Sequence, residues 1–153
     1  MSNNNYFDIA LDEAKIAYSK HEIPVGCVIV KDNLVIAKAH NLKETKKSVS
    51  AHAEILAINE ASKILNNYHL DGCSIYSTLE PCAMCFSAIM QSHIKNVYYI
   101  LKDNQMGACG SVIDLNNFNF SNPKINLIEV DYRKEEYQKL LKDFFSILRD
   151  NKK

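Results

Sequence analysis

The sequence predicts an α/β protein, a three-layer α/β/α sandwich around a five-stranded mixed sheet. Three observations predict it. Apolar residues recur at helical spacing near both ends of the chain, five short apolar runs between them have strand character, and the middle third reads strand, helix, strand. The 153 residues suit one domain, residues 1–153, long enough to bury a core and too short for a second comparable unit. Apolar residues make up 47% and charged residues 24%, with only four Gly and three Pro, which is the profile of a compact fold and excludes a disordered chain.

From Phe7 to Lys20 the apolar positions Phe7, Ala10, Leu11, Ala14, Ala17 and Tyr18 repeat at helical spacing, which predicts an amphipathic first helix. Val25–Val30 and Leu34–Ala37 are short apolar runs separated by Lys31-Asp32-Asn33, an antiparallel hairpin with a polar turn. His40–Ser50 is polar and aperiodic and reads as a loop. Ala51–Leu65 is rich in Ala, Ile and Leu on most faces, a buried second helix that the Asn66-Asn67 pair ends. Cys73–Leu79 reads as a strand, Cys82–Gln91 as a helix with Pro81 at its start, and Val97–Leu101 as a buried strand. The two dozen residues before the next strand, Ile125–Val130, leave room for the crossover that a parallel neighbour needs. Tyr137, Leu140, Leu141, Phe144, Phe145 and Leu148 then form the clearest helical stripe in the sequence.

No apolar run approaches the roughly 20 residues of a membrane helix, and Met1–Asn5 is polar, without a signal-peptide hydrophobic region; the expectation is a cytoplasmic protein without a membrane partner. Five cysteines, two of them in a Pro-Cys-x-x-Cys run, argue for metal or redox chemistry over a disulfide framework. Cys27, Cys73 and Cys109 stand alone in or near apolar stretches and read as small buried hydrophobes. Net charge is +0, so the overall electrostatic footprint of a nucleic-acid binder is missing.

The chemistry sits in two segments, Ala51-His52-Ala53-Glu54 and Glu80-Pro81-Cys82-Ala83-Met84-Cys85, both read as helix N-termini. Cys82 and Cys85, three apart, project from one helix face, where the helix dipole favours thiolates. Two thiolates and one imidazole suit zinc, one per chain, and three protein ligands leave a fourth tetrahedral position for water, the mark of a catalytic site. Glu54 is then the proton carrier of a hydrolytic deamination. Taken singly, His52 reads as a structural histidine, Glu54 as a solvated carboxylate, and the cysteine pair as a redox dithiol or half of a structural zinc site. The combination favours catalysis, because a closed structural site needs a fourth ligand, and His21, His40, His69 and His93 show no ligand-like pairing in the sequence. One difficulty is geometric: residues two apart in a regular helix point to different sides, so His52 and Glu54 converge only if the helix end faces the site.

The H-x-E and P-C-x-x-C pair is the signature of zinc deaminases, and the whole chain resembles the bacterial tRNA-specific adenosine deaminases of the cytidine deaminase superfamily. The resemblance rests on the two zinc segments with Leu79, on Pro24-Val25-Gly26, Asn41, Asp103, Gly107-Ala108-Cys109-Gly110-Ser111 and Asp143-Phe144-Phe145. It implies a cytidine-deaminase-like fold, a homodimer, and conversion of the wobble adenosine of an arginine tRNA to inosine. It also implies substrate-binding roles for Asn41 on the flipped nucleotide, for Asp103 and Phe145 on the anticodon stem-loop, and for Pro24, Val25 and Gly26 in the pocket wall. On the residues alone, Asn41 reads as a loop cap, Asp103 as a turn residue and Pro24–Gly26 as a strand start. The zinc motifs specify only the superfamily, which leaves a small-molecule base or nucleoside deaminase as the alternative and a non-catalytic zinc module as a third reading.

The chain departs from the family pattern at Phe86-Ser87, where small residues are usual, and at His93, where arginine is common. Met84, Ile89 and Met90 read as core or dimer packing. Four lysines between Lys38 and Lys47, and Lys134, Lys139, Lys142, Arg149, Lys152 and Lys153 in the closing segment, form basic patches that fit either a few phosphate contacts or an ordinary solvated face.

Overall fold

A computed structural model describes residues 3–151 of the chain. Its elements run α1 (Asn3–Ser19), β1 (Gly26–Lys31), β2 (Leu34–His40), α2 (Ala53–Leu65), β3 (Cys73–Leu79), α3 (Ala83–Gln91), β4 (Asn96–Leu101), a short 3-10 turn (Leu115–Asn117), β5 (Asn126–Glu129) and α4 (Lys134–Asn151). The sheet order is β2-β1-β3-β4-β5. β1 pairs antiparallel with β2 and β3, whereas β3, β4 and β5 are parallel, as the strand, helix, strand reading requires. No helix among the described residues is long and apolar enough to cross a membrane.

Each face of the sheet is covered. Side chains alternate along a strand, so Cys27 and Ile29 of β1 join the core under α2 and α3 with Ala53, Ala57, Phe86 and Ile89. Val28 and Val30 join the core on the opposite face with Tyr6, Phe7, Ala10, Leu11 and Tyr137 of α1 and α4. β1 therefore buries nearly every residue, as a central strand covered on both faces must. The departure Phe86 is 1% exposed; its ring is part of that core.

Boundaries differ from the sequence reading where long-range partners decide them. α1 starts four residues early, at Asn3, because Tyr6 and Phe7 pack on Tyr76 and Asn3 accepts the Tyr76 hydroxyl at 2.7 Å. The hairpin turn narrows to Asp32-Asn33, both at positive φ, so Lys31 pairs with Leu34 in the two-residue geometry that matches strand twist. β2 runs on to His40, opposite Gly26, although His40 had read as loop. β5 is shorter than Ile125–Val130. Gly26 is obligatory: a Cβ there would lie 1.8 Å from the Ala10 carbonyl oxygen, so α1 crosses directly over its backbone.

The stripe on α4 meets a different fate from the one its periodicity suggests. Only Tyr137 is buried, where its hydroxyl donates to the Pro24 carbonyl at 2.8 Å. Asp8 accepts from Tyr132 and Arg133 at 2.6 and 2.9 Å, tying the start of α4 to α1. The rest of the stripe is left partly open.

Candidate metal centre and the cavity above it

The centre is made at two turns into helices. His52 is extended (φ −76°, ψ 151°) and caps α2; Cys82 is extended (φ −76°, ψ 176°) and caps α3. Neither side chain makes a capping hydrogen bond, so the imidazole and the thiol are free to face each other. Both motifs thus straddle a helix start, which corrects the reading that placed His52 and Cys82 inside their helices. It also removes the geometric difficulty. With His52 extended and Glu54 in the first turn of α2, residues two apart face one point.

The sulfurs of Cys82 and Cys85 lie 3.8 and 3.5 Å from His52 Nδ1, and all three ligand atoms lie within 4.8 Å of one another. A tetrahedral zinc with bonds of about 2.3 Å to sulfur and about 2.0–2.1 Å to nitrogen separates sulfur from nitrogen by about 3.6 Å. The three side chains are therefore positioned to bind one metal ion. The hydrogen bond with Cys85 holds the Cys82 sulfur well below the usual thiol range, and the same pairing, with burial, pushes Cys85 up. The bond to Cys82 raises His52 despite its desolvation. Protons held among these groups are the ones a metal displaces. Glu54 is 4% exposed, and burial lifts its carboxyl above the ordinary carboxylate range, while a dication at the triad would pull it back toward ionisation.

Above the triad opens a cavity of about 850 Å³, room for a nucleoside-sized ligand. Its floor includes His52, Ala53, Glu54 and Cys82; Ile23, Val25, Asn41, Lys43 and Val49 line one side, Leu79 and Leu101–Met106 another, and Leu141, Phe145, Leu148 and Arg149 of α4 a third. Of the expected substrate residues, Val25, Asn41, Asp103 and Phe145 line the cavity, and Pro24 and Gly26 do not. Pro24 is turned under Tyr137 and Gly26 against α1; alternation along the strand sends only the residue between them toward the cavity. Asn41 accepts from the Lys43 amide at 3.1 Å and donates to the Ile23 carbonyl at 3.4 Å. Asp103 caps its own turn, accepting from Gln105 and Met106 at 3.0 and 3.2 Å.

Other residues were not foreseen. Met84, read as packing, lines the cavity, because it sits in the first turn of α3 beside the metal ligands. Two buried carboxylates hold the loops on either side. Glu22, 0% exposed, accepts from the Glu44 and Thr45 amides at 3.0 and 2.6 Å and from the Thr45 hydroxyl at 2.6 Å. Burial opposes its charge, yet these hydrogen bonds hold its carboxyl below the ordinary value. Glu80, 2% exposed, accepts from the amides of Asp103, Cys109 and Ser111 and from the Ser111 hydroxyl. A Cβ at Gly107 would fall 2.4 Å from the Asp103 carbonyl oxygen and 2.5 Å from the Glu80 carboxylate, so only glycine closes this loop. The available signal was an acid in the apolar run directly before Pro81. Of the basic residues, Lys43, Lys102 and Arg149 reach the rim; Lys134 and Lys139 are engaged with Glu129 and Asp143, and Lys152 and Lys153 lie outside the described residues. His69 and His93, read as unpaired, stand together with Asp71 at the far end of α2 and α3.

Comparison with known proteins agrees with this geometry. The cytidine and deoxycytidylate deaminase zinc-binding region matches residues 1–101. A tRNA-specific adenosine deaminase of Aquifex aeolicus is 42% identical over 99% of both chains. A solved structure from work on A-to-I editing by tRNA:A34 deaminases superposes with a TM-score of 0.87 at 32% identity, covering 91% of this chain and all of that one. A guanine deaminase of Bacillus subtilis is more distant in shape, with a TM-score of 0.65 at 29% identity over 98% of this chain and 95% of that one. The chain belongs to the zinc-binding cytidine and deoxycytidylate deaminase family, among its tRNA-specific adenosine deaminases.

Proposed function

We propose that this protein deaminates adenosine to inosine at the wobble position of tRNA, an arginine tRNA, with one zinc per chain held by His52, Cys82 and Cys85. The observation that carries the reading is the buried Glu54 beside a three-ligand site at the bottom of an open-mouthed cavity. Zinc supplies Lewis-acid activation of water at neutral pH. Glu54 takes the proton as the water oxygen adds to C6 of adenine and delivers it to N1. It then takes the proton of the hydroxyl now on C6 and transfers it to the amine as the C6–N bond breaks, leaving the carbonyl at C6 and releasing ammonia. Water and adenosine thus become inosine and ammonia.

The rim supports a polymeric substrate. Phe145 is 43% exposed at the cavity mouth, where an unstacked base can meet its ring, and Lys43 and Arg149 stand where phosphates would pass. Net neutrality is compatible with this because an anticodon loop needs only a few phosphate contacts. Asn41 would hydrogen-bond the flipped nucleotide, and Asp103 would bring its turn against the loop. We further infer that residues 1–153 act as one domain, in the cytoplasm and as a homodimer; the exposed apolar side chains Val112, Ile113, Phe118 and Phe120 favour self-association.

The test is inosine formation on an anticodon stem-loop with adenosine at the wobble position, set beside free adenosine, cytidine, guanine and cytosine. Turnover of the stem-loop with little activity on the free compounds is expected. Efficient turnover of a free base with the stem-loop untouched would make the protein a small-molecule deaminase, the reading that the guanine deaminase likeness favours.

A further inference from the structure

α2 and α3 lie side by side, and their N-terminal ends carry His52, Glu54, Cys82 and Cys85. Their opposite ends carry a second group of metal-ligating side chains. His69 and Asp71 lie in the loop that follows α2, and His93 lies just after α3. One ligand atom from each of the three lies within 4.8 Å of the others. The two imidazole rings are 4.2 Å apart between centroids, and His93 Nδ1 is 3.6 Å from Asp71 Oδ1.

The backbone beneath the group is fixed. Leu70, between His69 and Asp71, is fully buried and donates its amide to the Ser92 carbonyl at 2.7 Å, so the loop after α2 is fastened to the turn after α3 next to His93. The Cys73 amide returns to the Leu70 carbonyl at 3.1 Å, and the His69 amide is held by Asn67 Oδ1 at 3.0 Å. Tyr68 stacks its ring edge against His69 at 4.5 Å. His93 takes a left-handed backbone conformation (φ 65°), uncommon for a side-chain-bearing residue, and this turn carries its imidazole to His69 and Asp71. Three donors from two fastened segments meet at the C-terminal end of a helix, where the dipole favours positive charge.

We propose that His69, Asp71 and His93 form a second metal site, for a divalent first-row transition ion such as zinc. Two imidazoles and one carboxylate select such an ion over magnesium or calcium, which prefer all-oxygen shells. The side chains are partly exposed, so an ion enters directly from solvent and keeps water in its remaining positions. Helices of 13 and 9 residues, rising 1.5 Å per residue, set the two centres roughly 14–20 Å apart. The second ion takes no part in deamination. It clamps the far ends of the two helices whose near ends hold the catalytic site.

The experiment is equilibrium dialysis of full-length, tag-free protein against micromolar zinc, followed by metal analysis per chain. Wild-type protein is expected to hold two zinc ions per chain. His69→Gln and His93→Asn are expected to hold one and to keep deaminase activity, the asparagine being chosen because it tolerates the left-handed turn. Asp71→Asn, at an exposed position, keeps the test available if a histidine variant misfolds. Each substitution should weaken the second equivalent by more than about 100-fold, since even partners one shell removed from a metal cost about 10–100-fold. A single zinc in the wild type, or a second zinc bound equally well by all three variants, overturns the proposal.

Discussion

The floor of the cavity and its rim are built by different rules. The floor is made by side chains at two helix starts, His52 with Glu54 and Cys82 with Cys85, whose spacing within each segment is set by local backbone geometry. The rim is made by one face of α4 and by loops that local geometry leaves free. Glu22 fastens the loop that carries Lys43, and Glu80 fastens the loop that carries Asp103, each across more than twenty residues of chain. The floor determines the chemistry and the rim determines what may reach it, so damage to each should read out differently.

The largest effect belongs to the floor. Cys85→Ser leaves too few strong ligands at this centre, and the protein is expected to lose the zinc held there and at least about 10³-fold in deamination rate, because that ion generates the nucleophile; metal analysis, expected to fall by one ion per chain against wild type, checks it beside the rate. Glu80→Gln should leave zinc in place but cost about 1–3 kcal/mol of stability, since an amide NH₂ now faces backbone donors in a buried site. The denaturation midpoint reads that cost, and KM for the stem-loop should rise with it. Phe145→Ala should keep stability and zinc while weakening the stem-loop about tenfold, the lower part of the range for losing one base-stacking ring; an equal loss on free adenosine would remove the distinction between floor and rim.

The smallest effect is on pH. Hydrogen bonds hold the Glu22 carboxyl below its ordinary value, so its contribution to stability is complete above the unfolded value of about 4.3 and is lost as pH falls through the lower folded one. Glu22→Gln should flatten the acid side of the stability profile, measured by denaturant midpoints at several pH values. An unchanged acid limb would deny Glu22 its role in holding the loop.

The same division explains what the sequence disclosed. The five strands, the antiparallel hairpin and the parallel crossover followed from apolar runs and connection lengths, and His52, Glu54, Cys82 and Cys85 from contiguous motifs whose chemistry depends on near neighbours. Glu22 and Glu80 were not legible as anchors because their partners, Thr45 and Ser111, lie 23 and 31 residues away. His69 and His93 were read as unpaired for the same reason, since they lie 24 positions apart with β3 and α3 between them. Pro24 and Gly26 do not line the cavity that Val25 lines, because a one-residue step along a strand reverses the face. The stripe on α4 was legible as a helix face but not as a cavity wall, since periodicity reports that a face is apolar and not what covers it.

Most direct is a single comparison on Glu54→Gln, a substitution confined to the floor. Zinc per chain, stem-loop affinity and inosine formation are measured on one preparation. The account predicts wild-type zinc, affinity within about threefold of wild type, and a rate reduced by about 10²–10⁴-fold, the usual contribution of a positioned proton carrier. A zinc-loaded Glu54→Gln protein that still forms inosine at the wild-type rate, or one that loses stem-loop binding along with turnover, would contradict it.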